Sequence, residues 1–205
     1  MNHVLAARYL LLTRHGEATP DEAGLTEAGQ QQAVLLGRRL RELPVAAIHH
    51  GPLGRAALTA AIIGDQLPGV PLHVEAAAGD FVPYLPKREE LPETSADRLL
   101  AVTRQLPPAD EELAAEAERR FTGPVPGNEA RFDLVVTHNY LISWLVRASQ
   151  DAPPWRWLAL NHGNAALTVI RYVPGRPAAL LAYNDQGHLP PALRWTGFPP
   201  EFYLP

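Results

Sequence analysis

No cysteine occurs among the 205 residues, which excludes disulfides, thiolate catalysis and cysteine metal sites. No apolar run is long enough to span a bilayer, and the start of the chain, Met1-Asn2-His3-Val4-Leu5-Ala6-Ala7-Arg8, lacks the charged opening and long apolar centre of a signal peptide. Positive charge is not in excess either. Lys and Arg number 18 against 22 Asp and Glu, for a net charge of -4. That balance argues against a general nucleic-acid binder and leaves room for a local basic pocket that takes a small anion. These absences together lead us to expect a cytoplasmic protein with neither a nucleic-acid nor a membrane partner. Internal repeats and low-complexity tracts are missing as well.

Proline is abundant, with 21 residues, about twice the usual share. Many fall in pairs, Pro107-Pro108, Pro153-Pro154, Pro190-Pro191 and Pro199-Pro200, that punctuate connections and the C-terminal tail. Between them the hydrophobic pattern alternates. Residues 8–13 read as a buried strand, and Thr26 to Leu43 as a helix with Ala28, Ala33, Leu36 and Leu40 on one face. A strand at 45–50, a helix over about 53–66 and a strand at 71–74 follow. A Pro-rich loop at 79–92 leads to helices near 93–105 and 109–121, a strand at 131–137 and a helix at 139–149. A strand pair at 165–172 and 178–183 comes last. This β-α alternation implies an α/β fold, a three-layer α/β/α sandwich around a mostly parallel, doubly wound central sheet. Residues 1–205 are expected to form one domain, with a helical lid insertion at about 80–122 and an irregular tail from about 185.

Chemistry collects at three strand ends. The apolar run Leu10-Leu11-Leu12 stops at Thr13-Arg14-His15-Gly16-Glu17. The second strand gives His49-His50-Gly51-Pro52-Leu53-Gly54-Arg55, and the strand at 131–137 gives Thr137-His138-Asn139. In an open α/β sheet ligands bind outside the carboxyl ends of parallel strands, so Arg14, His15, Arg55 and His138 converge there. Two guanidiniums, with a helix amino terminus near Asn139, suit an anion. Taken singly, several of these residues have plainer readings. Arg55 alone reads as a surface cation, His138 as a core histidine, Glu75 as a solvated carboxylate and Thr59 as helix packing. His49, His50 and His162 read equally as pocket wall or as structure, and His73 and His188 as surface. No HExxH-type spacing occurs, and no acidic cluster accompanies the histidines, so neither a metal nor a cofactor is expected.

These motifs in this order resemble the histidine phosphatase superfamily, the phosphoglycerate-mutase-like enzymes. Thr13-Arg14-His15-Gly16-Glu17 resembles the family signature and Gly24-Leu25-Thr26-Glu27-Ala28-Gly29 its helix entry. Pro52-Leu53-Gly54-Arg55-Ala56-Ala57-Leu58-Thr59-Ala60 resembles its second arginine motif, with Gly51 where a Ser is common. Glu75-Ala76-Ala77-Ala78-Gly79 keeps its step from acid to glycine, and Val135-Val136-Thr137-His138 its late strand. The resemblance implies a metal-independent phosphatase for a small phosphomonoester. His15 would be a neutral nucleophile whose second ring nitrogen is held by a nearby carbonyl. Arg14, Arg55 and Asn139 would bind phosphate, His138 would share the transferring charge, and Glu75 would be the proton donor, with Asp80 as the fallback. A phosphoglycerate-mutase-type phosphomutase and an inactive phosphate-binding regulatory protein are the alternatives, and a homodimer is compatible with either. The chain departs from the mutases at Ala18-Thr19-Pro20-Asp21, where they often carry an Asn. It also lacks their paired-arginine insertion, since Arg119-Arg120 lies too near His138. The segment Asp80 to Pro86 lacks the usual Trp-Glu-Gly continuation. Lys87, Arg88, Arg98 and Arg104, in the expected lid, are read as facing solvent.

Overall fold

The computed structural model describes residues 4–198. The unit begins with β1 (Leu5–Ala6) and β2 (Arg8–Arg14), followed by α1 (Glu27–Leu40), β3 (Val45–His50), α2 (Gly54–Gln66) and β4 (Leu72–Val74). Then come α3 (Ala96–Thr103), α4 (Glu111–Phe121), β5 (Val125–Pro126), β6 (Arg131–Thr137), α5 (Asn139–Ser149), β7 (Leu167–Tyr172) and β8 (Ala179–Asp185). Six strands form one sheet in the order β4-β3-β6-β2-β7-β8, and β1 pairs with β5 apart from it. The pairs from β4 to β2 are parallel, whereas β7 and β8 join antiparallel. The sheet is mostly parallel, as expected, with β7 added antiparallel to β2 and β8 returning beside β7 through a short hairpin link.

The alternation of side chains along each strand builds two cores. Leu10 and Leu12 of β2 and Val135 of β6 face α4 and α5, packing with Leu141, Ile142 and Leu145. Leu11, Leu134 and Val136 point the other way, onto Ala33 and Leu36 of α1 and Ala56 and Ile63 of α2. Burying one such leucine contributes about 1.5–3 kcal/mol, so a one-residue slip of β2 would exchange both sets at once. Thr26 caps α1 by accepting from the Gly29 N–H at 3.0 Å.

One expectation needs correction. The segment 80–122 is not a lid over the cavity described below, which it touches only through Asp80. Ala114, Ala117 and Phe121 of α4 are buried in the core instead, so this helix flanks the sheet. Lys87, Arg88, Arg98 and Arg104 on the same segment are exposed, as expected. The tail is irregular but not loose. The buried Gln32 amide of α1 donates to Leu193 O at 2.9 Å and to Thr196 Oγ1 at 2.8 Å. Residues 1–3 and 199–205, including Pro199-Pro200, lie outside the described residues.

Candidate active site

Parallel pairing brings the strand ends to one edge. Arg14 sits opposite Thr137, and His50 opposite Val136. The next residues continue the ladder, His15 N–H donating to Thr137 O at 3.0 Å and Gly51 N–H to Val136 O at 3.2 Å. A cavity of about 620 Å³ opens over this edge, lined by Arg14, His15, Arg55, Asp80, His138 and Asn139, with Glu17, Thr19, Glu22, Tyr140, Asn161, Asn164 and Gly197 among the other wall residues.

His15 is 6% exposed. Its Nδ1 lies 2.7 Å from Gly16 O. A carbonyl only accepts, so Nδ1 carries the proton and Nε2 keeps its lone pair. Arg55 Nε donates to that Nε2 at 3.2 Å. Burial, with smaller contributions from Arg14, His138 and Arg55, pushes the His15 imidazole down to about 3 against the opposing pull of the Gly16 carbonyl. The ring is therefore neutral at neutral pH. The loop carrying it is fixed from below, with Gly16 N–H donating to Thr59 Oγ1 at 3.0 Å, Glu17 N–H to Gln32 Oε1 at 2.8 Å and Asn164 Nδ2 to His15 O at 2.8 Å. Thr59 is thus more than helix packing. Gly16 is needed for contact, since a Cβ there would lie 2.4 Å from Gly29 O.

His138 packs beside it, ring centroids 5.1 Å apart. Burial first, then Arg55 and Arg14, holds its imidazole at about 3. Both of its buried ring nitrogens lack a hydrogen-bond partner. The Asp80 carboxylate comes only to 3.5 Å of Nδ1, without the alignment of a hydrogen bond. The two ring nitrogens of wholly buried His162 are likewise unpartnered, and of the two rings only His138 lines the cavity. Arg14 is anchored from behind, its Nη1 donating to His162 O at 3.0 Å and Gly197 O at 2.7 Å, while its buried Nε lacks a partner. Burial lowers its guanidinium somewhat, opposed by Asp80. Arg55, 7% exposed and no surface cation, donates from Nη2 to Asp80 Oδ2 at 2.7 Å and reaches Glu22 Oε2 at 3.3 Å.

Of the two carboxylates expected as the acid, Asp80 stands in the cavity and Glu75 stands apart from it. Glu75 does not line the cavity. Its carboxylate accepts from Arg120 and lies 3.2 Å from His49 Nδ1. The physical reason is lateral distance. Glu75 follows the edge strand β4, while β6 lies two strands inward, roughly 10 Å at the usual interstrand spacing and beyond the reach of a glutamate. The short helical turn Ala76–Ala78 then crosses the strand ends, with Thr137 Oγ1 donating to Ala78 O at 2.7 Å, and delivers Asp80 instead. Gly51 makes the crossing possible, because a Cβ there would stand 2.4 Å from Ala78 O. The glycine in place of the common serine was the available signal.

Asn139 lines the cavity, but its amide is engaged with the wall, Nδ2 donating to Asn161 Oδ1 at 3.3 Å and Oδ1 accepting from His162 N–H at 2.8 Å. Its side chain positions the 161–162 segment in the free protein. The three open histidines divide without entering the cavity wall. His162 is wholly buried, held at about 3 by desolvation, and packs on Tyr183. His50 lies 2.8 Å from Gly51 O through Nδ1. His49 stacks on His73. His188 is half-buried and lies 3.2 Å from Arg39, so it is not simply surface. Asn164 and Gly197 carried no motif signal, because they reach the site only through the fold of the last strands and tail. Among the described residues, no group of three or more His, Cys, Asp or Glu is placed to hold a metal ion.

The model of the histidine phosphatase superfamily (branch 1) matches residues 10–186. Among curated proteins, the chain is 30% identical over 198 residues to the mitochondrial serine/threonine-protein phosphatase Pgam5 of Caenorhabditis elegans and 29% over 196 residues to that of Caenorhabditis briggsae. Each match covers 91% of this chain and 66% of the relative, so the chain spans about two thirds of their length. Among solved structures, a phosphoglycerate mutase from Plasmodium falciparum superposes with a TM-score of 0.61 at 21% identity, covering 90% of this chain and 95% of that one, a likeness of fold. The relatives are named mitochondrial, which lends the cytoplasmic expectation no support. No helix among the described residues is long and apolar enough to cross a membrane.

Proposed function

The chain belongs to the histidine phosphatase superfamily, and on that premise we propose that it hydrolyses a small phosphomonoester, without a metal, through a phosphohistidine on His15. The observation that carries this reading is the state of His15. It is buried and neutral, with Nδ1–H on Gly16 O, Nε2 basic, and the unpartnered His138 ring beside it.

In the first step the His15 Nε2 lone pair attacks phosphorus, the N–P bond forms and the P–O bond to the leaving group breaks. The transferring oxygens replace the internal partners of Arg55 and meet the unpaired nitrogens of Arg14 and His138. Preorganised donors of this kind supply most of the catalysis in phosphoryl transfer. Asp80 gives its proton to the departing oxygen. A phosphoryl group seated on Arg55 takes over the guanidinium that Asp80 holds, which frees the Asp80 carboxyl to face the departing oxygen. In the second step Asp80 takes a proton from water as the water oxygen attacks phosphorus, and the N–P bond breaks.

The test is turnover of para-nitrophenyl phosphate in EDTA, with acid quenching to trap phosphate on the protein. The expected result is steady hydrolysis and an acid-labile, base-stable phosphate on His15. Loss of activity with EDTA would overturn metal independence. Vanadate binding without turnover would identify a phosphate-binding regulator, and phosphoglycerate isomerisation outpacing hydrolysis would identify a mutase. A cytoplasmic location is the companion expectation, checked by cell fractionation.

A further inference from the structure

We propose that the cavity selects phosphomonoesters whose leaving group carries a positive charge, an amino-alcohol phosphate being the fitting class, over esters bearing a second anion. The proposal rests on the phosphatase reading above. Its basis is the charge of the wall beyond the phosphate cradle. Three carboxylates, Glu17, Glu22 and Asp80, line the cavity against two guanidiniums, Arg14 and Arg55. Both histidines in the wall are neutral. Among the described residues no other Lys or Arg lines it, and residues 199–205 contain none. Lys87, Arg88, Arg98 and Arg104 stay outside.

Once a phosphoryl group occupies both guanidiniums, what remains for the leaving group is Glu17, Glu22, the amide of Asn161 and the ring of half-buried Tyr140. A second phosphate or carboxylate there meets like charge. An ammonium meets opposite charge, which attracts it, beside the aromatic ring of Tyr140. Glu17 is held through its side chain and Glu22 through its backbone. Glu17 Oε1 accepts from Thr26 Oγ1 at 2.8 Å. Glu22 adopts φ 57, a conformation unusual for a residue other than glycine. It is kept there by its N–H donating to Thr19 O at 2.8 Å and by its O accepting from Arg55 Nη1 at 3.4 Å. Backbone strain of this kind persists where surroundings over-determine it, and it gathers at functional sites.

The experiment compares kcat/KM for phosphocholine and 3-phosphoglycerate on the purified protein, with para-nitrophenyl phosphate as the reference. We expect phosphocholine to be favoured by about tenfold or more at low salt, the scale of one or two partly screened charge contacts. The preference should shrink in high salt. Glu22→Lys should lower the ratio by about tenfold, with Glu22→Gln intermediate; taking the ratio cancels any effect on Arg55 common to both substrates. Equal or better turnover of 3-phosphoglycerate, or a ratio unmoved by Glu22→Lys, overturns the proposal. If para-nitrophenyl phosphate is not turned over, the phosphatase reading falls separately. The same order of preference is then read from calorimetric binding of the two esters, and its absence there overturns the selectivity too.

Discussion

The cluster around His138 and the cluster around His49 use the same residue types, an imidazole with an arginine and a carboxylate near it, and they differ in satisfaction. His49 Nδ1 lies 3.2 Å from Glu75, whose carboxylate also takes Arg120. His138 is more deeply buried, at 2% exposure against 8%, yet neither ring nitrogen finds a partner. A buried donor or acceptor left unmade costs about 1–3 kcal/mol. The fold tolerates that cost at His138, beside a nucleophile and two guanidiniums, and avoids it for the His49–Glu75 pair. Of these two constellations, the unsatisfied one lines the cavity beside His15 and the satisfied one does not.

The strongest break of this contrast is His15→Ala. Loss of the attacking nitrogen should remove turnover of para-nitrophenyl phosphate by about 10⁴-fold or more and abolish the trapped phosphohistidine. Next, Arg55→Ala and His138→Ala should each cost about 10²–10³ in kcat and weaken vanadate binding. His49→Ala should leave both unchanged within a few-fold. Wild-type vanadate affinity in His138→Ala would remove that ring from the cradle.

Asp80→Asn should follow in size and be selective. Proton donation contributes about 10²–10⁴-fold where the leaving group is poor, so alkyl phosphates should suffer far more than para-nitrophenyl phosphate, whose departing oxygen needs little protonation. Equal losses on both would remove Asp80 as the acid.

A further effect falls on stability. His15, His138 and His162 sit near pKa 3 in the folded protein, against about 6.5 when unfolded. Between those values the unfolded chain binds more protons, so stability is full above about pH 6.5 and declines as pH falls. The slope approaches about 1.4 kcal/mol per pH unit for each histidine. Urea midpoints from pH 7 to pH 5 measure it, and a flat profile would contradict neutral burial of these rings.

How much of this was legible depended on whether a residue's role is set along its own strand or across the sheet. Arg14, His15 and His138 follow directly from buried strands, so the apolar runs placed them. Arg55 needed only one parallel neighbour and a helix start. Which carboxylate enters the cavity could not be read the same way, because the spacing from Glu75 to Gly79 is silent about how far β4 lies from β6. The antiparallel placing of β7 against β2, and the tail whose Gly197 carbonyl holds Arg14, depend on contacts made more than a hundred residues away. No local pattern carries those.

The smallest expected effect is the sharpest test of the comparison. Glu75→Gln keeps the side-chain shape and one acceptor while removing the charge that pairs with Arg120. Glu75 is 17% exposed and Arg120 43% exposed, so the ion pair is partly solvated and contributes about 1 kcal/mol or less. The urea midpoint should fall slightly, and kcat on alkyl and aryl phosphates should change by no more than about twofold to threefold, within the 0.6 kcal/mol that such a factor represents. A selective loss on alkyl phosphates in Glu75→Gln, with Asp80→Asn silent, would reverse the assignment. It would mean that Glu75 leaves Arg120 and reaches the cavity when substrate binds, and the satisfied cluster would then be a resting position of the acid rather than a piece of the frame.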